Sequence, residues 1–278
     1  MQAAKTVPVS MPVVVFYISG HGFGHASRQI EIIRQLQQLR SDVHVAIKTP
    51  TPRWFFDVAG LKPFSFEAME TDTGVVQTDS LHVDIVRSIK KCDSFHRTLD
   101  QRATSEAVSL KRFNTRLIVG DIPPLAFRAG AIAEIPTVAI SNFTWDWIYD
   151  NYADTASYAP ELVDTLSTAY ASATMAWRFP LHAGFNTCRN IVDVPLVARC
   201  STRSPVELRD MLGLPRDSQV VLFSFGRYGV SNINWAHVRN SSNYHFVFTS
   251  GEPLGLLPNG PMFTTLDEAA LPRKGLNY

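Results

Sequence analysis

The sequence is poor in the residues that metal, redox, membrane and nucleic-acid proteins depend on. Its three cysteines, Cys92, Cys188 and Cys200, are scattered, odd in number and without Cys-x-x-Cys spacing. They offer neither a disulfide framework nor a thiolate metal site, and they suit a reducing compartment. A formal net charge of +1 gives no global attraction to nucleic acid or to an anionic membrane. Long hydrophobic runs are missing too. The apolar stretch "VVVFYIS" after "MQAAKTVPVSMP" is too short for a signal sequence and far too short to span a bilayer. A cytoplasmic protein without a transmembrane segment is the expectation.

What is present is an alternation. Hydrophobic content of 45% and charged content of 18% are those of a globular protein with a sizeable core. Residues 13–19 read as a strand buried on both faces, and 26–40 as an amphipathic helix with Ile30, Ile32, Ile33, Leu36 and Leu39 at helical spacing. "VHVAIK" (43–48) then reads as a strand parallel to the first, because the crossover is a single helix. A short strand at 64–67 and a mainly helical stretch at 82–113 follow. "RLIVGD" (116–121) is a buried strand ending at Asp121, and a helix started by Pro123 and Pro124 leads to a strand at 137–141. In the segment 142–153 the spacing predicts that Phe143, Trp147 and Ile148 pack inward. A strand at 174–180 closes the unit. The whole predicts a doubly wound α/β sheet.

A boundary is expected near 197–205, with a helix beginning at Ser204, Pro205 and Glu207. Strands at 220–226 and 244–251 open a second α/β unit. The expected domains are 1–200 and 201–278, and the second has too few residues for a complete doubly wound unit.

The turn "ISGHGFGHASR" (18–28) lies between the first strand and the first helix. A dinucleotide fingerprint needs a third glycine where His25 stands, and the second strand ends at Lys48 with no acid for a ribose. A phosphate-binding P-loop needs a lysine after the glycines, and none follows. Gly20, Gly22 and Gly24 are either backbone turns alone or donors of N–H groups to an anion or sugar oxygen. His25 and Asp121 are either helix caps or members of one site at the carboxyl edge of the sheet.

Taken with "IVGDIPPLAFRAGAIAEIPTVAISNFTWDWIY", the motif "GHGFGHASR" resembles the GT-B glycosyltransferases, whose two Rossmann-like domains face each other. Within them it is most like the glycosyltransferase-like N-terminal region of plant L-arabinokinases and its free-standing bacterial relatives. The likeness covers most of 13–180 and, weakly, 204–251. The sugar-kinase half of arabinokinase has no counterpart here, so kinase chemistry is not expected.

The resemblance implies transfer of a sugar from a nucleotide sugar, of the UDP-sugar class, to an acceptor hydroxyl, with no further cofactor. Such a transfer needs a base near neutral pKa, and histidine supplies one when a carboxylate fixes its tautomer. By position the base is His25 and the carboxylate Asp121. Candidate substrate contacts are Gly20, His21, Gly22, Gly24, Arg28, Asn142, Trp145 and Asp146. Gly226 and Gly229 in "SFGRYG" are candidate donor-phosphate contacts. No Asp-x-Asp motif is present, and GT-B transfer is generally metal-independent, so no metal is expected. The other reading is a sugar- or nucleotide-binding module without transfer, or an inactive fragment of such an enzyme.

Overall fold

A computed structural model of the chain describes residues 11–224, 233–241, 243–248 and 263–265. The chain divides into two compact units, Met1–Val76 with Asp84–Arg199, and Gln77–Val83 with Cys200–Tyr278.

The first unit is built on a seven-stranded sheet whose strand pairs are all parallel. Its strands are β1 (Val13–Ile18), β2 (His44–Thr49), β3 (Ser65–Ala68), β4 (Thr115–Asp121), β5 (Thr137–Ser141), β6 (Met175–Arg178) and β7 (Ile191–Asp193). They lie in the order β3-β2-β1-β4-β5-β6-β7. The order reverses beside β1, which puts the ligand crevice of such a sheet at the carboxyl ends of β1 and β4.

Every residue of β1 is buried, as its β-branched and aromatic run requires. Val14, Phe16 and Ile18 pack on one face with Ala26, Ile30 and Ile33 of α1 (Gly24–Leu39). Val13, Val15 and Tyr17 face the other side, against α3 (Ile85–His96), α4 (Leu99–Arg112), α5 (Pro124–Ala133) and α8 (Leu162–Ala171). Leu39 is 79% exposed, because six residues beyond Ile33 the helix has turned it off the buried face.

Three features differ from the sequence pattern. The stretch 82–113 is two helices, broken at Arg97 and Thr98. The sheet continues past β6 into β7, three exposed residues that carry no hydrophobic periodicity to announce them. In α6 (Trp145–Asp150) the buried aromatics are Trp145 and Tyr149, while Trp147 is 37% exposed. The helix starts at Trp145, so the i, i+4 pair Trp145 and Tyr149 takes the inner face. Phe143 and Ile148 are partly buried against the same core. Between these elements run the short helices α2 (Trp54–Asp57) and α7 (Thr155–Tyr158).

The second unit contains α9 (Pro205–Met211), α10 (Trp235–Arg239) and a parallel sheet in the order β10-β9-β8, formed by β8 (Gln219–Phe223), β9 (Tyr244–Phe248) and β10 (Phe263–Thr265). Helix α9 opens on a capping box. Ser204 Oγ accepts from the Glu207 N–H at 3.2 Å, and Glu207 Oε2 accepts from the Ser204 N–H at 2.8 Å. Ser204→Ala removes one half of it and should cost about 1 kcal/mol of local stability. Faster amide exchange at Glu207 would report the loss; unchanged exchange would contradict the cap.

No helix of the described residues is long and apolar enough to cross a membrane.

Candidate functional site

The sheet register brings the glycine turn to Asp121. Ile18 pairs with Asp121 at the ends of β1 and β4, and the Ser19 N–H donates to the Asp121 carbonyl at 2.8 Å. The turn from Ser19 to Phe23 therefore leaves the sheet beside that carboxylate. Gly20 lies so close to Pro50 that a Cβ would fall 2.1 Å from its Cγ, and Gly22 has φ +77°, a conformation that favours glycine. Gly24 is the first residue of α1.

His25 stands in the first turn of α1, 7% exposed, with Nδ1 2.8 Å from Asp121 Oδ1. A carboxylate oxygen at that distance requires a proton on Nδ1, because two facing lone pairs would repel. Nε2 then carries the free lone pair, and no described residue hydrogen-bonds it. Neither residue acts as a helix cap. Helix α1 begins after Phe23 and α5 after Pro123, each without a side-chain capping bond.

Asp121 is fully buried and accepts more than one donor. Arg28 Nε donates to Oδ2 at 2.6 Å, Arg28 Nη2 donates to Oδ1, and Gln29 Nε2 donates to Oδ2 at 2.7 Å. Burial alone would raise the Asp121 pKa. The His25 ring and the Arg28 guanidinium outweigh it and hold the carboxyl below its ordinary value. The group is a carboxylate kept charged in a dry place.

Arg28 uses its remaining donors inside the protein. Nη1 reaches Asn142 Oδ1 at 2.9 Å, Nη2 reaches Ser141 Oγ at 2.9 Å, and the guanidinium lies over the Phe179 ring. Arg28 and Asn142, both read from the sequence as substrate contacts, thus hold each other beside Asp121. Asp146 is buried as well. Its carboxylate accepts from Ser167 Oγ at 3.0 Å and Thr187 Oγ1 at 3.2 Å, tying α6 to α8 and to the chain before β7.

His21 packs edge-on against Trp145, ring centroids 5.7 Å apart, and His25 does the same against Phe143. Phe143 and Trp145 meet at 4.9 Å, so one aromatic wall backs both histidines. Burial, followed by the charges of His25 and Lys91, lowers the His21 pKa to about 4. Trp145 is 3% exposed, and its ring face belongs to this wall.

The wall is anchored by a residue the sequence pattern did not single out. Asp72 Oδ2 accepts from the Trp145 indole N–H at 2.9 Å, and Oδ1 accepts from Ser19 Oγ at 2.9 Å. Burial pushes the Asp72 carboxyl up, against the pull of those two bonds. Asp72 sits in the irregular chain between β3 and α3, where no periodicity marks it. Arg28 and Gln29 did carry a signal: three and four residues after His25, they share its face of α1.

Among the described residues no group of three or more His, Cys, Asp or Glu side chains is placed to hold a metal ion. Gly226 and Gly229 lie outside the described residues.

No family model matches the chain. It is 34% identical over 219 residues to L-arabinokinase of Arabidopsis thaliana, a match covering 77% of this chain and 21% of that protein. The chain thus spans about a fifth of the length of the curated relative it matches. Among solved structures it is similar to Phytolacca americana UGT2 complexed with UDP-2fluoro-glucose and pterostilbene, with a TM-score of 0.57 and 13% identity, over 91% of this chain and 71% of that one. It is also similar to Arabidopsis thaliana UGT89C1 complexed with UDP-L-rhamnose, with a TM-score of 0.54 and 15% identity, over 91% and 69%. At such identities the likeness is one of fold, the Rossmann-like α/β architecture of the GT-B glycosyltransferases.

Proposed function

For a chain with the GT-B fold and a stretch of sequence shared with L-arabinokinase, we propose glycosyl transfer from a nucleotide sugar to an acceptor hydroxyl, with His25 as base and Asp121 as its partner. One observation carries the reading: an imidazole whose Nδ1 is held 2.8 Å from a fully buried carboxylate while Nε2 has no hydrogen-bond partner among the described residues.

The chemistry follows from that geometry. His25 Nε2 takes the proton of the acceptor hydroxyl as its oxygen attacks the anomeric carbon. The new carbon–oxygen bond forms as the bond to the diphosphate breaks, and the electron pair leaves with the nucleoside diphosphate. The Nδ1 proton stays on its bond to Asp121, whose charge stabilises the imidazolium and fixes the ring. A UDP-sugar is the proposed donor class, because the solved relatives bind UDP-2fluoro-glucose and UDP-L-rhamnose. The scheme uses no metal and no cofactor beyond the donor.

The test is consumption of UDP-sugars by the chain with a panel of hydroxyl acceptors, read as released UDP. Turnover by the native chain and its disappearance in His25→Ala is the expected result. Thermal stabilisation by the nucleotide sugar without any turnover would favour a binding module and overturn the transferase reading.

A further inference from the structure

We infer that the first unit carries a second binding site, for a neutral saccharide, in the cleft where α3, α4 and α5 meet α7 and α8. The cleft has a volume of about 710 Å³, within the ~300–1,000 Å³ of small-molecule pockets. No residue of its wall belongs to the His25–Asp121 site, so it stands apart from the role of His25.

One nitrogen in this wall is left over. His96, the last residue of α3, lines the cleft and is 3% exposed. Its Nδ1 is 2.9 Å from the Cys92 carbonyl, an oxygen that can only accept, so the proton is on Nδ1 and Nε2 holds a lone pair. Nε2 is buried and has no hydrogen-bond partner among the described residues. A buried acceptor left unpaired costs about 1–3 kcal/mol, and such groups are rare enough in folded proteins to call for a reason. Burial lowers the pKa of the ring to about 4, so the lone pair is available at neutral pH. A ligand hydroxyl seated against this wall would complete it.

The rest of the wall sets the class of ligand. Arg97 and Arg128 are held by Asp93 and Asp100, each pair at 2.6 Å, and keep other guanidinium N–H groups uncommitted among the described residues. Helix α4 opens at Leu99 without a side-chain cap, which adds backbone donors. Glu161 and Asp164, at the start of α8, add exposed carboxylates. Donors and acceptors thus face one space. A hydroxyl group can both donate and accept, and several on one ring meet both kinds of partner at once. An anion such as phosphate would meet four carboxylates, Asp93, Asp100, Glu161 and Asp164, against two guanidinium groups. An ammonium would leave the arginines and the helix end unused. Tyr158, 46% exposed, supplies aromatic surface for the C–H face of a sugar ring.

The experiment is a nitrogen-15 NMR titration of the protein with glucose, galactose, xylose and cellobiose, each to about 100 mM, a range that detects a Kd of ~10 mM. Inorganic phosphate and putrescine serve as the anionic and cationic probes. At least one sugar should shift the His96 ring nitrogens together with the amides of 97–100 and 158–165, on one saturating curve, while the amides of 20–25 stay in place. His96→Phe keeps a ring, removes the acceptor, and should raise that Kd about tenfold. Glu161→Gln combined with Asp164→Asn alters exposed side chains only and should raise it about fivefold in a fully folded protein. No shift at the cleft with any of these sugars would overturn the inference. So would tighter binding of phosphate or putrescine there, or a Kd within about twofold of native in the double variant, whether or not His96→Phe folds. Turnover of UDP-sugars plays no part in the readout, so this site and the transferase reading can fail separately.

Discussion

Replacing Asp121 with alanine is expected to lower the free energy of unfolding by about 3–5 kcal/mol, a large part of the stability of an ordinary domain. The carboxylate is fully buried and is the counter-charge of Arg28, whose side chain is 17% exposed. Alanine would leave the guanidinium without that partner and the Gln29 amide without its acceptor. Little can relax to meet them, because Ser141 and Asn142 hold Arg28 from the other side. Asp121→Asn keeps the shape and one acceptor oxygen, so it should destabilise less. On the reading of His25 as base it should still lower turnover by about 10⁴-fold, because the amide no longer imposes the Nδ1–H tautomer or balances the imidazolium. Urea unfolding followed by circular dichroism, beside the UDP-release assay, separates the two effects. An alanine variant that loses less than about 1 kcal/mol would show that the polar knot contributes little to folding.

Stability should also fall as the pH is lowered from about 6.5 to about 4, through His21 and His96. Burial is the main cause in both, and each is lowered to about 4 from an ordinary value of 6.5. His96 is 3% exposed, with Nδ1 2.9 Å from the Cys92 carbonyl and Nε2 without a hydrogen-bond partner among the described residues. Between those two pH values the unfolded chain binds protons that the folded chain refuses, so folding is favoured as pH rises. Each histidine accounts for about 3 kcal/mol across the window, as an order of magnitude. The buried acids act differently. The contribution of Asp121, whose pKa is lowered, is lost only as the pH falls below the ordinary carboxylate range. Asp72, whose pKa is raised, regains stability on acidification and offsets part of the loss. Thermal melts at stepped pH should show the decline, and a His21→Gln, His96→Gln double variant should flatten it. A native profile already flat between pH 6.5 and 4 would mean that neither ring is shielded as the packing implies.

Much of this molecule is written in local pattern. A run such as "VVVFYI" can be buried only on both faces of a sheet, and an amphipathic stretch such as 26–40 can only lie against it. A crossover of one helix makes neighbouring strands parallel, and parallel strands send their following turns to one edge. Those rules place His25 and Asp121 at the same edge of the sheet, although they are 96 residues apart in the chain. The position of a residue at a strand end is a local property, and the sequence by itself determined it.

What each side chain does at that edge is not local. The Ile18–Asp121 register decides that the carboxylate meets α1, and the first two turns of that helix then deliver Arg28 and Gln29 along with His25. Read alone, Arg28 has the pattern of a surface cation; fully buried Asp121 makes it an internal one. Asp72 comes from irregular chain and reaches Trp145 because β3 lies two strands from β1. The inward turn of Trp145 and Tyr149 depends on where α6 begins, a matter of one residue. Only the tertiary structure decided these, because a buried charge takes whatever partners the packing brings within 3 Å, and sequence distance carries no record of them.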